Sequence, residues 1–280
     1  MGWMSSDLII NFHNMISNLK IRSLFIIVFG LILSNTLQAQ KQKLFAYEHF
    51  ISGADTLNYR ILLPKHFDRA KQYPLVLFLH GAGERGNDNT KQLTHGSNLF
   101  SKNRNRRKYP AIVIFPQCPL DDYWANVVVD RTINPYNFEF KTGEPTKALN
   151  LVMQLMEEMS SKPFVNINRI YLGGLSMGGF GTFEILYRKP NMFAGAFAIC
   201  GGGITETVEK YATKTPLWVF HGAKDDLVDP QLSIAMVSAD LKAGGKPNFN
   251  LYSDANHNSW DSAFAEPQLL PWLFSKSKLN

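Results

Sequence analysis

The most informative part of this sequence is RIYLGGLSMGGFG, residues 169–181. Its first half, RIYLG, is a short apolar run of the kind that forms buried strands, and a helix-like segment follows Ser176. Between them, GLSMG at 174–178 matches the G-x-S-x-G pattern, in which serine lies on a sharp strand-to-helix turn and small residues let the two elements approach. The pattern predicts that Ser176 is a nucleophile held in a strained backbone conformation.

A glycine-rich turn with an incidental serine is the alternative interpretation of this stretch, and a phosphate-binding loop is one form of it. No P-loop lysine follows the glycines, and their spacing is not that of a dinucleotide-binding loop. The nucleophile interpretation has a further requirement. A lone serine is a poor nucleophile, so it needs a base within hydrogen-bonding reach and an acid that orients the base.

The base can be found by elimination among the seven histidines. In a fold with this serine turn, the nucleophile, the acid and the histidine follow in that order, each on a loop at the carboxyl end of a strand. Only His221 and His257 lie after Ser176. His221 ends its own apolar strand before any candidate acid, so we predict that His257, in the loop SDANHNSW, is the base. The alternative for His257 is an ordinary surface histidine.

Three aspartates follow His221 and compete for the role of the acid. Asp229 precedes Pro230 and a helical segment, which predicts a helix N-cap with proline at the first helical position. That structural role removes Asp229 from the choice. Asp225 and Asp226 both lie in the turn after the strand, and the residues alone leave the choice between them open.

A second loop, HGAGERG at 80–86, follows the first central strand. Its glycines would let backbone amides face a developing negative charge, and we predict an oxyanion hole formed by the amides of Ala82 and Met177. Gly83 is the alternative donor to Ala82. His80 is predicted to be structural and to pin this loop.

Two tryptophans near the predicted loops are candidates for substrate binding. Trp124 lies in a long loop after a strand, and Trp260 comes just after the predicted base. Ordinary packing is the alternative for each of them. Glu84 and Arg85 are expected to pair with each other and to shape the loop that carries Ala82.

The remaining sequence predicts an α/β fold. Alternating apolar residues at 44–63 predict an N-terminal β-hairpin, and the later apolar runs are continuous, as in a parallel sheet covered by helices on both faces. These runs are 74–81, 111–116, 169–174, 194–200, 216–222 and 248–254. Helix-like segments at 146–160, 177–188 and 231–241 alternate with them, which favours one doubly wound domain with a mostly parallel sheet of about eight strands. Polar segments 84–109 and 121–144 are long enough to shape a binding site.

The N-terminal region has the layout of a secretory signal. Lys20 and Arg22 precede the apolar run 24–33, and a polar stretch follows it, with a cleavage site expected near Ala39. Met15 is the expected natural start. We therefore expect residues 1–39 to be an extension and signal peptide, residues 40–280 to form a single domain, and the protein to be secreted or periplasmic without stable membrane insertion.

Charge and cysteine content exclude some functions. The formal net charge is +6, but the only basic cluster, at 102–108, lacks interleaved aromatics, so nucleic-acid binding is not expected. Cys118 and Cys200 are expected to be free, half-buried thiols, with a bridge as the alternative. No histidine or cysteine pair has metal-ligand spacing, and the predicted chemistry needs neither a metal nor another cofactor.

Taken together, these motifs resemble those of α/β-hydrolase esterases of the secreted carboxylesterase and feruloyl or acetylxylan esterase kind. The resemblance covers residues 44–274 and depends mainly on HGAGERGNDN at 80–89, INRIYLGGLSMGGFGTF at 167–183, HGAKDDLVDP at 221–230 and NHNSW at 256–260. In that family the acid is the fourth residue after the histidine of an HG-x-x-D motif, which implies Asp225.

The resemblance also implies a function. It implies a serine esterase that cleaves acyl esters on carbohydrates, or small phenolic or short-chain esters, through an acyl-enzyme. One rival is a serine peptidase like prolyl oligopeptidase, although no propeller-sized region precedes the domain. The other rival is a catalytically silent binding protein on the same scaffold. The oligomeric state is not implied.

Overall fold

The chain divides into two units, and the second begins at Phe45. The computed structural model describes residues 44–278, and the architecture below is that of the second unit. The predicted signal peptide, the expected start at Met15 and the cleavage site near Ala39 lie outside the described residues.

An eight-stranded sheet forms the centre of this unit. The eight strands are β1 Ala46–Ser52, β2 Asp55–Leu62, β3 Tyr73–Leu79, β4 Ile112–Pro116, β7 Val165–Leu175, β8 Gly195–Ile199, β9 Leu217–Gly222 and β10 Asn248–Tyr252. Their spatial order is β1-β2-β4-β3-β7-β8-β9-β10. The strand β2 is antiparallel to both of its neighbours, and the strands from β4 to β10 in that order run parallel. The predicted hairpin and mostly parallel α/β sheet are confirmed.

Seven α-helices cover the sheet or follow its strands within the described residues. They are α1 Ser97–Ser101, α2 Asn103–Lys108, α3 Lys147–Ser160, α4 Met177–Arg188, α5 Pro230–Lys242, α6 Trp260–Ala265 and α7 Leu269–Phe274. Thr146 caps α3 by accepting from the amide of Leu149, and Asp229 caps α5 by accepting from the amide of Gln231. The predicted capping role of Asp229 is therefore confirmed.

The central strands are buried on both faces, which explains their continuous apolar sequences. Along β3, Leu75, Leu77 and Leu79 belong to one apolar cluster with α3, whereas Val76 and Phe78 belong to another cluster with α1, α6 and α7. Successive strand residues point to opposite faces, so a strand with a helix layer on each side requires apolar residues at every position.

The two long polar segments contain elements that the sequence analysis missed. Segment 121–144 holds a separate antiparallel hairpin, β5 Val127–Asp130 and β6 Asn137–Phe140. Segment 84–109 holds α1 and α2, and α2 carries most of the basic cluster, with Arg106 donating to the carbonyl of Leu63 (2.8 Å). The cluster is therefore helical, and one of its arginines supports the end of the hairpin strand β2.

Both cysteines are free, as expected. The expectation that they are half-buried is wrong, because both lie between the sheet and its covering elements and are fully buried. Burial strongly raises the pKa of each thiol above its ordinary value. Within residues 44–278, no helix has the length and apolar character needed to cross a membrane.

Asp240 on α5 provides a test of the packing. Its side chain is 1% exposed, its Oδ2 has no hydrogen-bond partner among the described residues, and burial raises its pKa to about 6. An unfolded aspartate has a pKa near 4, so the folded state binds this proton more tightly and becomes less stable as the pH rises from about 4 to about 6. Asp240→Asn is expected to increase the free energy of unfolding by about 2 kcal/mol above pH 6 and to change it little below pH 4.

Urea denaturation at pH 4 and at pH 8 measures this difference. Asp254→Asn is the control, because Asp254 is exposed and forms a surface ion pair with Lys224. Loss of this pair is expected to change the free energy of unfolding little at either pH. A loss of stability in Asp240→Asn at pH 8 would contradict the prediction.

Candidate active site

Ser176 lies on a sharp turn between β7 and α4 and has backbone angles of φ 52° and ψ −118°. A non-glycine residue rarely adopts this conformation, which agrees with the predicted strained turn. The flanking glycines are required by close packing. A Cβ at Gly178 would lie 2.1 Å from the carbonyl oxygen of Leu79, and one at Gly174 would lie 2.1 Å from the carbonyl oxygen of Gly178.

We expect Gly178→Ala to destabilise the fold by about 2–4 kcal/mol, because the new methyl group clashes with the backbone of β3. The matched control is Gly83→Ala, where a Cβ would meet no atom within 4 Å and where the change in stability is expected to stay within about 0.5 kcal/mol. Chemical denaturation of both variants measures the effect. Equal stability of the two variants would contradict the assigned packing of the turn.

The structure brings Ser176, His257 and Asp225 together. His257 Nε2 lies 3.0 Å from Ser176 Oγ, and His257 Nδ1 lies 2.8 Å from Asp225 Oδ2. Ionised Asp225 can only accept, so Nδ1 carries the imidazole proton and Nε2 is free to accept the proton of the serine hydroxyl. The three residues follow β7, β10 and β9, whose carboxyl ends lie at the same edge of the parallel sheet.

Asp225 is held in place by more than this one bond. Its other oxygen, Oδ1, accepts from the amides of Leu227 (3.0 Å) and Val228 (2.9 Å), and its side chain is fully buried. Burial opposes ionisation, but hydrogen bonds from His221 and His257 outweigh it and hold the pKa of Asp225 well below its usual range. The carboxylate is therefore ionised and fixed in orientation.

Asp226, the alternative acid, occupies a different environment. The residue is exposed, and its backbone amide, not its carboxylate, donates a hydrogen bond to Asn256 Oδ1 (3.1 Å). Asn256 Oδ1 also accepts from the amide of His257 (2.6 Å). The contact to the imidazole is thus made by Asp225.

The loop 80–86 lies beside Ser176 as expected for an oxyanion loop. Ala82 and Gly83 line the same cavity as Ser176. The amides of Ala82 and Met177 donate no hydrogen bond to another group within residues 44–278, so both are free to bind a ligand oxygen.

His80 pins this loop, as predicted. The amide of Cys118 donates to His80 Nε2 (3.0 Å), so Nδ1 carries the proton and donates to the carbonyl of Gly81 (2.6 Å). Burial lowers the pKa of His80 to about 4, so the ring stays neutral at ordinary pH.

The prediction that Glu84 and Arg85 pair with each other is wrong. Arg85 donates instead to the backbone carbonyls of Ala82, Leu120 and Asp122, at 3.0–3.2 Å. The guanidinium group has several donors, and three carbonyls at the junction of two loops satisfy them without a carboxylate. Glu84 Oε1 lies 3.8 Å from His95 Nε2, and both side chains line the cavity.

A cavity of about 270 Å³ opens beside Ser176 and has two chemically different sides. One side is mainly aromatic: the Phe138 ring centroid lies 4.8 Å from that of Phe180 and 6.4 Å from that of Tyr136, and Arg131, which also lines the cavity, lies over the Tyr136 ring. The other side carries Trp260 and the Glu84–His95 pair. The Trp260 ring centroid lies 5.3 Å from that of His257 and 5.1 Å from that of His95.

Trp260 therefore lies where the sequence analysis placed it, and Trp124 does not. Trp124 is fully buried, packs on His80 with ring centroids 5.3 Å apart, and does not line the cavity. A methyl group at Gly181 would lie 2.7 Å from the Cβ of Trp124 and 2.8 Å from its carbonyl oxygen, so the absence of a side chain at Gly181 lets residue 124 pack closely on α4. Trp124 supports the loop 80–86 through its contact with His80. Its predicted role in substrate binding is therefore wrong, and the alternative, ordinary packing, is correct.

Three residues that the β5–β6 hairpin brings to the cavity were not predicted from the sequence, namely Arg131, Tyr136 and Phe138. The β-branched run VVVD at 127–130 and the alternating residues NFEF at 137–140 were signals for strands, but each run is short. The Glu84–His95 pair was missed because its members are separated by a turn and belong to a segment without periodicity.

One group of donors could in principle hold a metal ion. Cys200 Sγ, Asp225 and His257 offer ligand atoms within 4.8 Å of one another. This donor set fits a metal poorly, because burial keeps the Cys200 thiol protonated and the thiol already contacts the carbonyl of His257 (3.2 Å) and Ser259 Oγ (2.9 Å). Nδ1 of His257 is also engaged with Asp225.

The sequence and the fold are similar to those of known proteins. The sequence model of a family described as Phospholipase/Carboxylesterase matches residues 67–268. A bifunctional acetylxylan esterase/xylanase of Neocallimastix patriciarum is 33% identical over 86 residues, which make up 31% of this chain and 13% of that protein. A thermostable esterase of known structure is 32% identical, with a TM-score of 0.76, over 85% of this chain and 64% of that chain.

A ferulic acid esterase from Anaeromyces mucronatus, solved in complex with ferulic acid, has a TM-score of 0.60 at 14% identity over 84% of this chain and 92% of that chain. At this identity the likeness shows the fold alone. The chain spans less than two thirds of the length of the acetylxylan esterase/xylanase and of the thermostable esterase.

Proposed function

The chain belongs to the phospholipase/carboxylesterase family of α/β hydrolases, and from this premise we propose that it hydrolyses carboxylic esters with Ser176, His257 and Asp225 as its catalytic triad. The observation that carries the proposal is the hydrogen-bonded chain from Asp225 through His257 to Ser176, with links of 2.8 and 3.0 Å, beside a cavity that opens to solvent. A serine oxygen, a base and an orienting carboxylate are the groups that acyl transfer requires.

In the proposed mechanism, Ser176 Oγ attacks the ester carbonyl carbon while His257 Nε2 takes the hydroxyl proton. Asp225 stabilises the imidazolium cation that forms, and the free amides of Ala82 and Met177 donate to the oxyanion of the tetrahedral intermediate. His257 then protonates the leaving alcohol. Water attacks the acyl-enzyme by the same steps, releases the carboxylic acid and restores the serine.

We further propose that the substrate is an acyl ester on a carbohydrate, or a small phenolic or short-chain ester. The leaving alcohol must receive its proton from His257, so it lies on the side of the cavity nearest to this histidine. That side carries the flat ring of Trp260 and the polar pair Glu84 and His95, a combination suited to an alcohol with several hydroxyl groups. The apolar side near Phe138 and Phe180 suits the acyl group.

A hydrolysis panel tests this proposed function. The panel contains acetylated xylan, feruloylated oligosaccharides, p-nitrophenyl acetate and a peptide series, with product acids and amines measured separately. We expect ester hydrolysis with a preference for the carbohydrate esters and no cleavage of the peptides. Cleavage of peptides without cleavage of esters favours a peptidase, and a folded protein inactive on every substrate favours a silent binding protein.

Secretion is part of the same proposal and depends on Lys20, Arg22 and the apolar run 24–33. N-terminal sequencing of the exported protein tests it. A sequence that begins near Gln40 is the expected result, and an exported protein that retains Met15 contradicts the proposed cleavage.

A further inference from the structure

A second histidine contacts the carboxylate that orients His257. His221, at the end of β9, is completely buried, and its Nε2 lies 3.2 Å from Asp225 Oδ2. The same oxygen accepts from His257 Nδ1 at 2.8 Å. Asp225 Oδ2 is therefore held between two imidazole rings, one inside the protein and one at the cavity.

The hydrogen-bond partners of His221 determine how many protons its ring carries. Nε2 faces two acceptors, Asp225 Oδ2 and the carbonyl of Val228 (3.0 Å), so Nε2 must be a donor. Nδ1 lies 2.7 Å from Ser233 Oγ, and the single hydrogen of this hydroxyl is directed to the carbonyl of Gly201 (2.8 Å). Ser233 Oγ then accepts from Nδ1, so both ring nitrogens are donors.

An imidazole with two donor nitrogens is a cation. Full burial of a cation is costly unless it is paired, and the buried Asp225 carboxylate provides that pairing. Among the residues that the structure describes, His257 and Cys200 also lie beside Asp225, and burial keeps the Cys200 thiol neutral. Lys224 and Asp226 belong to the same loop but are exposed, so water screens their charges.

We propose that His221 is a buried imidazolium that positions Asp225 and keeps His257 available as a base at lower pH. This inference rests on the proposed function, because it concerns the histidine of the proposed triad. His221 touches no substrate and is a positioning residue. Its cation offsets part of the charge of Asp225, so the carboxylate attracts a second proton on His257 less strongly than an unpaired carboxylate does.

His221→Gln separates charge from hydrogen bonding. The glutamine amide can still donate to Asp225 but carries no charge. The His257 imidazolium is therefore more stable in the variant, so that, as the pH falls, His257 takes up its second proton and stops acting as a base at a higher pH than in the wild type. The acid limb of the pH profile of kcat/KM for p-nitrophenyl acetate is expected to move upward by about one pH unit. A purely structural role would lower activity without moving this limb.

His49→Gln is the matched control. His49 lies on the exposed strand β1, hydrogen-bonds Asn58 and does not line the cavity, so its replacement is expected to leave the pH profile unchanged. An unshifted acid limb in a folded His221→Gln protein overturns the proposal.

A direct measurement of the protons on His221 does not require activity. In ¹⁵N NMR spectra of the wild-type protein between pH 6 and 8, both ring nitrogens of His221 are expected to have the chemical shifts of protonated nitrogens. A shift of an unprotonated nitrogen at either position overturns the proposal, even if the variant fails to fold. If the wild-type protein hydrolyses no ester, the proposed function fails, and this spectrum alone then decides the charge of His221.

Discussion

Replacing Ser176 by alanine is expected to lower kcat/KM for p-nitrophenyl acetate by about 10⁵-fold. The hydroxyl is the only group in the proposed site that forms the acyl-enzyme, so its loss leaves only the contribution of the oxyanion hole and of substrate binding. Alanine leaves the β7–α4 turn without a new contact, so the free energy of unfolding should change by less than about 1 kcal/mol.

Two measurements on the same samples distinguish a loss of catalysis from a loss of folded protein. Kinetics with p-nitrophenyl acetate give kcat/KM, and urea denaturation gives the free energy of unfolding. Ser253→Ala is the control, because Ser253 is an exposed serine whose hydroxyl donates to the exposed Asp254 (3.3 Å). Residual activity of Ser176→Ala within tenfold of the wild type would show that another group is the nucleophile.

Asp225→Asn is expected to lower kcat by about 10³–10⁴-fold with a small change in KM. The asparagine amide can donate to His257 Nδ1, which favours the tautomer with the proton on Nε2, so the ring can no longer take the serine proton. The substitution also removes the charge that stabilises the imidazolium cation. Steady-state kinetics of the folded variant measure the loss.

The neighbouring carboxylate is the matched control for this substitution. Asp226→Asn removes a charge one residue away, but its side chain is exposed and does not contact His257, so we expect kcat within about threefold of the wild type. The opposite result, loss of activity in Asp226→Asn and its retention in Asp225→Asn, contradicts the assignment of the acid.

Local chemistry explains why much of the fold could be predicted. The turn at Ser176 needs glycines at 174 and 178, because a side chain at either position would collide with a neighbouring backbone carbonyl. The N-cap at Asp229 and the helix at 147–160 also depend on residues close in sequence. Continuous apolar runs likewise indicated strands covered on both faces.

The contacts that differed from expectation depend on residues far apart in the chain. Trp124 packs on His80 and lies against Gly181 of α4, where a side chain would meet the Cβ of Trp124. Arg85 donates to the carbonyls of Leu120 and Asp122 and does not pair with its neighbour Glu84. The contact of His221 with Asp225 was not predicted from the sequence either. It forms because the short loop after β9 turns back and brings the carboxylate next to His221 at the end of the strand. The predicted signal at 1–39 stays a prediction.

The central claim, that Ser176 is an activated nucleophile, is tested most directly by labelling with a fluorophosphonate and locating the adduct by mass spectrometry. The phosphonyl group bonds to the serine oxygen as fluoride leaves, so the wild-type protein should carry one adduct, on the peptide that contains Ser176. Ser176→Ala should carry none. A folded wild-type protein that stays unlabelled, or an adduct on a different residue, would contradict the claim.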